Sequence, residues 1–414
     1  MSPRFAVVAA LILVCGPATA ASFGARPAPG MAVAAPMTFY VVRGAADACG
    51  RGCDRWIAVE GQVDSNASAR FRKFLSQQRD RTLPIYFHSP GGNLDQAVAM
   101  GNMLREKPTI ARVGRTVVRE CGFEAQDSEV CIRLKQSGRE LHGDLFTHNA
   151  MCASACPYLI LGATTREIAP DAALAVHSPK VVVSFRGAGK PTPSMVAAAT
   201  ERGRERGDRL LEGYFAKMGV DAGLLELSHT VRFEDMHVLT REEIVRFGID
   251  RREFAETSWS FENNGRGTVR KVMAQRGPGE KSFRLVQWRL ICFDGDRFEL
   301  DVQRPATANP TFASVAIAAG GTKPQYFSFP PAKASGFEVW GMRMAKASVQ
   351  SLLDLPQLDF TESSLAADGH RVPSTTKLSS EGLSGALDSL IATCPPSRNP
   401  PPTQATVSRE RAEK

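Results

Sequence analysis

Residues 85–93 read IYFHSPGGN, an apolar strand pattern that runs directly into a proline and two glycines. Residues 94–104 then repeat apolar side chains at helical spacing, so the stretch predicts a strand, a tight turn and a helix. Glycines at such a turn let backbone N–H groups face outward at a helix N-terminus, where negative charge is favoured. The turn therefore has the properties required of an oxyanion hole, although a tight strand-to-helix turn needs glycine in any case.

Two further stretches carry side chains suited to nucleophilic catalysis. Residues 151–160 read MCASACPYLI, a small-residue bend that opens an apolar helix, and Ser154 either caps that helix or presents its hydroxyl to a pocket. Residues 172–179 read AALAVHSP, a strand that closes with His177. A histidine at a strand end is commonly an ordinary hydrogen-bonded residue, but a base is needed within reach of the serine.

Taken in this order, the three stretches resemble the ClpP/crotonase superfamily, and most closely its ClpP-like periplasmic branch. The resemblance includes VEGQV at residues 59–63, Arg166 and Pro170 between the second and third stretches, and the closing segment LTREEIVRFGID at residues 239–250. It spans about residues 57–250. It implies an α/β fold in which a ClpP/crotonase-type β-sheet is flanked by helices.

The resemblance also assigns roles, position by position. It makes Ser154 the nucleophile and His177 the general base, and it gives the oxyanion-hole amides to Gly92 and Ala155. The spacing from Ser154 to His177 is close to the family's. The spacing from Gly92 to Ser154 is longer, because a cysteine-bearing segment lies between them.

The third member of the triad is less well defined by the sequence. The family has an aspartate shortly before its closing segment, and Asp235 lies near that place but one residue off register. Glu234 and Asp171 remain alternatives. An imidazole that no group orients loses about 10⁴-fold in turnover, so the identity of this residue matters.

The pattern of elements divides the chain into parts. Strand and helix patterns alternate over residues 38–258, which we expect to form the ClpP/crotonase-like domain, with an insertion at about residues 114–147. From residue 259 the sequence pattern changes to strand-like runs separated by turns rich in Gly, Pro and Asn. Residues 259–394 therefore predict a mainly β domain that ends in a short helix, and the Pro-rich, charged residues 395–414 predict a disordered tail.

The N-terminus indicates export. Residues 1–20 combine a single charge, an apolar run and small residues at a cleavage site, as a signal peptide does, and residues 21–37 are a flexible lead-in rich in Ala, Pro and Gly. The apolar run is too short to span a bilayer and no other stretch is long enough, so we expect no integral membrane segment after processing. The sequence predicts a periplasmic or secreted protein; a retained N-terminal anchor is the alternative.

Removal of the leader leaves eight cysteines, an even number that predicts up to four disulfides in an oxidising compartment. The expected pairs are Cys49 with Cys53, Cys292 with Cys394, and Cys121 and Cys131 with Cys152 and Cys156. A redox or metal site at the two cysteines that flank Ser154 is disfavoured, because no second pair has zinc-like spacing. We therefore expect no metal and no cofactor.

Two functions of different classes fit these features. One is an exported serine hydrolase, a peptidase whose substrate is a peptide or unfolded protein, since no ATP-binding loop is present to drive unfolding. The other is a catalytically silent protein of the same fold that binds a peptide or an envelope partner. Acyl-CoA chemistry is disfavoured by export. We also expect no nucleic-acid partner, because the basic residues behind the net charge of +8 are scattered along the chain and do not form a nucleic-acid-binding stripe. ClpP-like domains commonly form rings, so a homo-oligomer is possible.

Overall fold

The computed structural model describes residues 35–396 except for 81, 184, 186–189, 264–265, 278, 307–313, 320–324, 327–330, 353–354, 356 and 366–369. The expected leader, most of the lead-in and most of the C-terminal tail lie outside the described residues. Within the described residues, no helix is long and apolar enough to cross a membrane.

A seven-stranded sheet forms the centre of the N-terminal part. Its strands are β1 (Thr38–Arg43), β2 (Arg55–Glu60), β3 (Ile85–His88), β4 (Ile110–Val113), β5 (Arg115–Val118), β6 (Leu141–Phe146) and, after the short strand β7 (Met151–Ala153), β8 (Thr165–Glu167). Their order is β5-β6-β1-β2-β3-β4-β8, and the run from β2 to β8 is parallel. Parallel pairing requires crossover connections, which the helices supply.

Seven helices accompany this sheet along the chain. They are α1 (Ala67–Gln77), α2 (Leu94–Arg105), α3 (Glu129–Lys135), α4 (Cys156–Ile160), α5 (Pro193–Met218), α6 (Gly223–Thr230) and α7 (Arg241–Arg246). One face of the sheet, with Val59 and Phe87, packs into a large apolar core with α1, α2 and α4. The other face, with Trp56 and Tyr86, packs into a smaller core with residues of the 114–147 segment. Side chains alternate along β2 and β3, so the sheet separates the two cores.

The segment predicted as an insertion contributes to the sheet. Strands β5 and β6 lie within residues 114–147 and pair with each other in antiparallel fashion, and β6 continues the sheet beside β1. The buried ammonium of Lys135 on α3 also reaches the Glu60 carboxylate of β2 at 3.0 Å. The segment is therefore anchored by both a strand ladder and a buried ion pair.

A small second sheet holds the residues of interest. It consists of β7, β9 (Ala173–Val176) and β10 (His237–Val238) in the order β10-β9-β7, with β7 and β9 parallel. Ser89, directly after β3, joins the two sheets: its N–H donates to the Met151 carbonyl at 2.8 Å, and its carbonyl accepts from the Ala153 N–H at 3.0 Å. The glycine turn is thereby held against the serine turn.

The C-terminal part contains two antiparallel sheets. The larger is formed by β11 (Phe254–Glu256), β12 (Ser260–Asn263), β13 (Gly267–Gln275), β14 (Arg284–Asp294), β15 (Arg297–Pro305), β18 (Ala332–Ala334) and β19 (Phe337–Ala345). The smaller is formed by β16 (Ser314–Ala319), β17 (Gln325–Tyr326), β20 (Gln357–Leu365) and β21 (Arg371–Ser379). Helices α8 (Lys346–Gln350) and α9 (Leu383–Thr393) complete it, around a core that includes Trp288 and Trp340.

The α/β class predicted from the sequence is confirmed, since several sheets and helices share the chain. Strand β11 precedes residue 258, where the sequence predicts a domain boundary, and pairs with β13 of the C-terminal sheet. Alternating polarity could not show this, because β11 is only three residues long and has no pattern of its own.

The described residues contain four disulfides, of which two were expected. The pairs Cys49–Cys53 and Cys292–Cys394 are confirmed. The expected cross-links from Cys121 and Cys131 to Cys152 and Cys156 are wrong; each of these two sets pairs internally. The cause is the sheet itself, because Cys121 and Cys131 lie in the smaller core and Cys152 and Cys156 lie in the larger core on the opposite face. Four disulfides fit a protein of an oxidising compartment, periplasmic or extracellular.

Candidate active site

Ser154 lies in a sharp turn between a strand and a helix. Strand β7 ends at Ala153 and helix α4 begins at Cys156, which leaves two residues for the change of direction. Ser154 has a φ of +59°, in the left-handed region that non-glycine residues rarely adopt, at a cost of about 1–3 kcal/mol. Its N–H donates to the Ala175 carbonyl of β9 at 3.0 Å. A strained turn of this kind lifts a serine hydroxyl out of the sheet, as nucleophile turns do.

His177 follows the last residue of β9 and is buried. Strand β9 lies between β7 and β10, so its backbone is fixed on both sides. The ring of Phe233 packs edge-on against the imidazole with 5.0 Å between ring centroids, and it covers one side of the ring. The loop that bears Phe233 is tied to the strand end, because the Ser178 N–H donates to the Val231 carbonyl at 3.0 Å.

The structure brings Ser154 and His177 together. The distance from the Ser154 Oγ to the His177 Nε2 is 2.8 Å, which is hydrogen-bond range for proton transfer between a nucleophile and a base. Burial lowers the pKa of His177 below its usual 6.5, while the Ser178 backbone and the Glu234 carboxylate act in the opposite direction. The imidazole is therefore mainly neutral at pH 7 and able to accept a proton.

The glycine turn lies directly beside the serine. Gly91 and Gly92 both have positive φ, and a Cβ placed on Gly91 would lie 2.5 Å from the Ser154 Cβ and 2.7 Å from the Ala155 nitrogen. Only glycine permits this approach. Within the described part of the chain, neither the Gly92 nor the Ala155 N–H donates a hydrogen bond to another backbone group. Both N–H groups therefore lack a backbone partner, and both belong to residues next to this close contact.

Among the residues that the structure describes, no carboxylate hydrogen-bonds the imidazole. The His177 Nδ1 is buried and has no hydrogen-bond partner among the described residues. Asp235 instead faces solvent beside Arg232, 3.7 Å from its Nε, and Glu234 is 3.6 Å from an Nη of the same arginine. Glu234 lies near enough to raise the pKa of the imidazole, but it does not hydrogen-bond it.

Asp171 forms an ion pair with Arg270 and does not contact His177. It is buried at the other end of β9, where its Oδ2 lies 2.6 Å from the Arg270 Nη1 of β13. The same cluster contains His148, whose Nδ1 is 3.1 Å from the Glu262 carboxylate of β12. Burial, reinforced by Arg270 and Arg115, lowers the pKa of His148 to about 4. These groups join the N-terminal part to the C-terminal sheet and form no contact with Ser154.

Two features of the site were missed by the sequence analysis. Phe233 covers His177, and its only signal is an aromatic side chain in an otherwise charged loop. The other is the internal disulfide Cys152–Cys156, which closes the turn around Ser154. Across the described residues, no group of three or more His, Cys, Asp or Glu side chains is placed to hold a metal ion.

Comparison with known proteins gives little further information. No family model matches the chain, and no curated protein matches it. Among solved structures, a mutant of the 1510-N membrane-bound stomatin-specific protease is 16% identical over 51% of this chain and 78% of its own, with a TM-score of 0.28. Invasion associated protein B from Bartonella henselae is 14% identical over 34% of this chain and 92% of its own, with a TM-score of 0.24.

Proposed function

We propose that this protein is an exported serine hydrolase with a ClpP/crotonase-type fold, a peptidase that acts by acyl transfer through Ser154. One observation carries the proposal: a serine hydroxyl on a strained strand-to-helix turn lies 2.8 Å from the Nε2 of a buried, neutral histidine. A serine that only capped a helix would need neither the left-handed backbone nor the imidazole. Here α4 has no side-chain cap, so Ser154 is free for another role.

In the proposed reaction, His177 accepts and returns a proton at each step. The Ser154 Oγ attacks the acyl carbonyl carbon of the substrate, and its proton passes to the His177 Nε2. The resulting tetrahedral intermediate collapses when His177 returns that proton to the leaving amine, which leaves an ester between the substrate and Ser154. A water molecule, deprotonated by the same imidazole, then hydrolyses the ester and restores the free hydroxyl.

The negative charge on the intermediate needs backbone donors. We assign this role to the N–H groups of Gly92 and Ala155. Support comes from the lack of a backbone acceptor for either group and from the close contact of Gly91 with the serine turn. Removal of one oxyanion-hole donor typically costs about 10²–10³-fold in turnover.

A carboxylate from the loop at residues 231–236 completes the proposed triad. Asp235 remains our assignment, with Glu234 as its competitor because its charge already acts on His177. Both side chains are exposed, and within the described part of the chain each forms a surface ion pair with Arg232 alone, which contributes at most about 1 kcal/mol. Substrate binding beside Phe233 can therefore draw either one toward the Nδ1. Asp171 is the weaker alternative in this proposal, because its Oδ2 lies 2.6 Å from the Arg270 Nη1.

The unpartnered Nδ1 specifically favours a second function. A protein of this fold without an orienting carboxylate would be a weak catalyst, and it would act by binding a peptide or an envelope partner in the same cleft. Homo-oligomer formation and the division into domains at 38–258 and 259–394 stay predictions under either function.

Labelling with a fluorophosphonate separates the two functions. The oxidised mature protein is expected to form one covalent adduct, and Ser154→Ala is expected to abolish it. His177→Ala is expected to slow it strongly, while Ser76→Ala, which removes an exposed hydroxyl on α1, leaves it unchanged. Absence of any adduct on a folded wild-type sample would refute the hydrolase proposal and favour the binding function. Comparison of Asp235→Asn with Glu234→Gln then identifies the third residue.

A further inference from the structure

We infer that the buried disulfide Cys152–Cys156 is a positioning element for Ser154, an inference that rests on the proposed function. The disulfide joins the middle residue of β7 to the first residue of α4, so Ser154 is the central residue of the closed turn. Both cysteines are fully buried. The nucleophile turn is therefore closed covalently from the interior of the protein.

The turn has few other means of holding its shape. Ser154 has no intrinsic preference for its φ of +59°, and its neighbours Ala153 and Ala155 have no side-chain hydrogen bonds to contribute. On the strand side, the backbone is fixed by hydrogen bonds to Ser89 and Ala175. On the helix side, α4 is only five residues long, begins without a side-chain cap and has Pro157 in its first turn.

The disulfide compensates for that weak helix start. It ties the uncapped end of α4 to a strand whose partners on both sides are fixed, Leu174 of β9 and Ser89 of the glycine turn. Without it, the helix end can retract and the serine can relax to negative φ. That relaxation would move the hydroxyl away from the His177 Nε2, and a displacement of about 1 Å from productive geometry costs on the order of 10²-fold in rate.

The chain supplies a matched control. Cys49 and Cys53 have the same sequence separation of 4 and the same Cα–Cα distance of 5.1 Å as the pair at the site. They lie in the smaller core, across the sheet from Ser154. Removal of either disulfide frees a loop of equal length, but only one of these loops contains the nucleophile.

The experiment compares C152A/C156A with C49A/C53A in the full mature chain. The maximum rate of fluorophosphonate acylation and the concentration for half-maximal rate are measured separately, well below each variant's unfolding midpoint. We expect C152A/C156A to lower the maximum rate by about 10- to 100-fold with little change in the half-saturating concentration. We expect C49A/C53A to acylate at nearly the wild-type rate, even if its unfolding midpoint falls by as much as that of C152A/C156A. If C152A/C156A does not fold, C152V/C156A restores buried volume and takes its place.

A crystal structure of the same variant makes the test independent of activity. The inference predicts that the Ser154 Oγ and the His177 Nε2 move out of hydrogen-bond range or that Ser154 leaves positive φ. Retention of both features, or acylation at the wild-type rate, would overturn the positioning role. If wild-type protein is not labelled at all, the proposed function fails, but the crystal structure still decides whether the disulfide holds the turn.

Discussion

His148 should make the stability of this protein fall steeply in mild acid. Its side chain is only 12% exposed, and burial together with Arg270 and Arg115 lowers its pKa to about 4, against about 6.5 in an unfolded chain. Asp171 acts in the opposite direction, and the Glu262 carboxylate lies 3.1 Å from the Nδ1. The perturbation is His148→Gln, which keeps a polar side chain but removes the titration.

The sign and size follow from the two pKa values. Well above pH 6.5 the histidine is neutral in both states and contributes no pH dependence. Between pH 6.5 and 4 the unfolded chain binds a proton that the folded chain does not, so the free energy of unfolding falls as the pH falls. A difference of about 2.5 pKa units corresponds to roughly 3 kcal/mol, and the loss levels off below pH 4.

Urea unfolding from pH 7.5 to 3.5, followed by tryptophan fluorescence, measures this loss. His148→Gln loses the edge-on contact with Phe146, so it is expected to be less stable at every pH. The informative quantity is the slope: wild type should lose about 3 kcal/mol more than the variant between pH 7 and pH 4. Parallel curves for the two proteins would refute the assignment of a buried, neutral His148.

Three further predictions concern the site and its surroundings. Gly91→Ala forces a side chain at a φ of +97° to within 2.5 Å of Ser154 and the Ala153 carbonyl. Urea unfolding should therefore show a loss of about 2–4 kcal/mol in the free energy of unfolding, and fluorophosphonate labelling should fail. A stable, normally labelled variant would contradict the close approach. Because burial lowers the pKa of His177, the labelling rate should decline on acidification only below pH 6.5, and a midpoint above that value contradicts its role as a buried neutral base. Arg270→Met should lower the free energy of unfolding by about 3–5 kcal/mol, because it leaves Asp171 without its cation. The double variant Arg270→Met/Asp171→Asn should recover most of this loss in the same assay. If the double variant is equally unstable, the loss comes from packing instead.

The sequence was most informative where local pattern and local structure coincide. The strand expected before the glycine turn and the helix expected at residues 94–104 are present as β3 and α2, because apolar spacing reflects the side that each element buries. Thr240 and Glu243, three residues apart, likewise form a capping box at the start of α7, a spacing that the sequence shows directly. These features depend on residues close together in the chain.

Features that depend on the sheet's two faces could not be predicted. The pairing of Cys121 and Cys131 follows from their position in the smaller core, which no spacing in the sequence indicates. The use of residues 114–147 as edge strands likewise depends on pairing with β1, far earlier in the chain. The resemblance to a known family placed Ser154 and His177 in one site, but it could not place a third residue that the chain's own loop conformation determines.

The unpartnered Nδ1 of His177 is best understood through the loop that covers it. Phe233 packs on the imidazole and excludes water, so a carboxylate that approached the Nδ1 in the free protein would itself lose solvent. That cost is not offset until charge develops on the imidazole during the reaction, when a nearby carboxylate becomes strongly favourable. In the proposed hydrolase, a loop that keeps Glu234 and Asp235 in water until then would stabilise the transition state without stabilising the resting protein. On this reasoning, the proposed triad would rest with a neutral, unpaired histidine, and its third member would join when substrate binds.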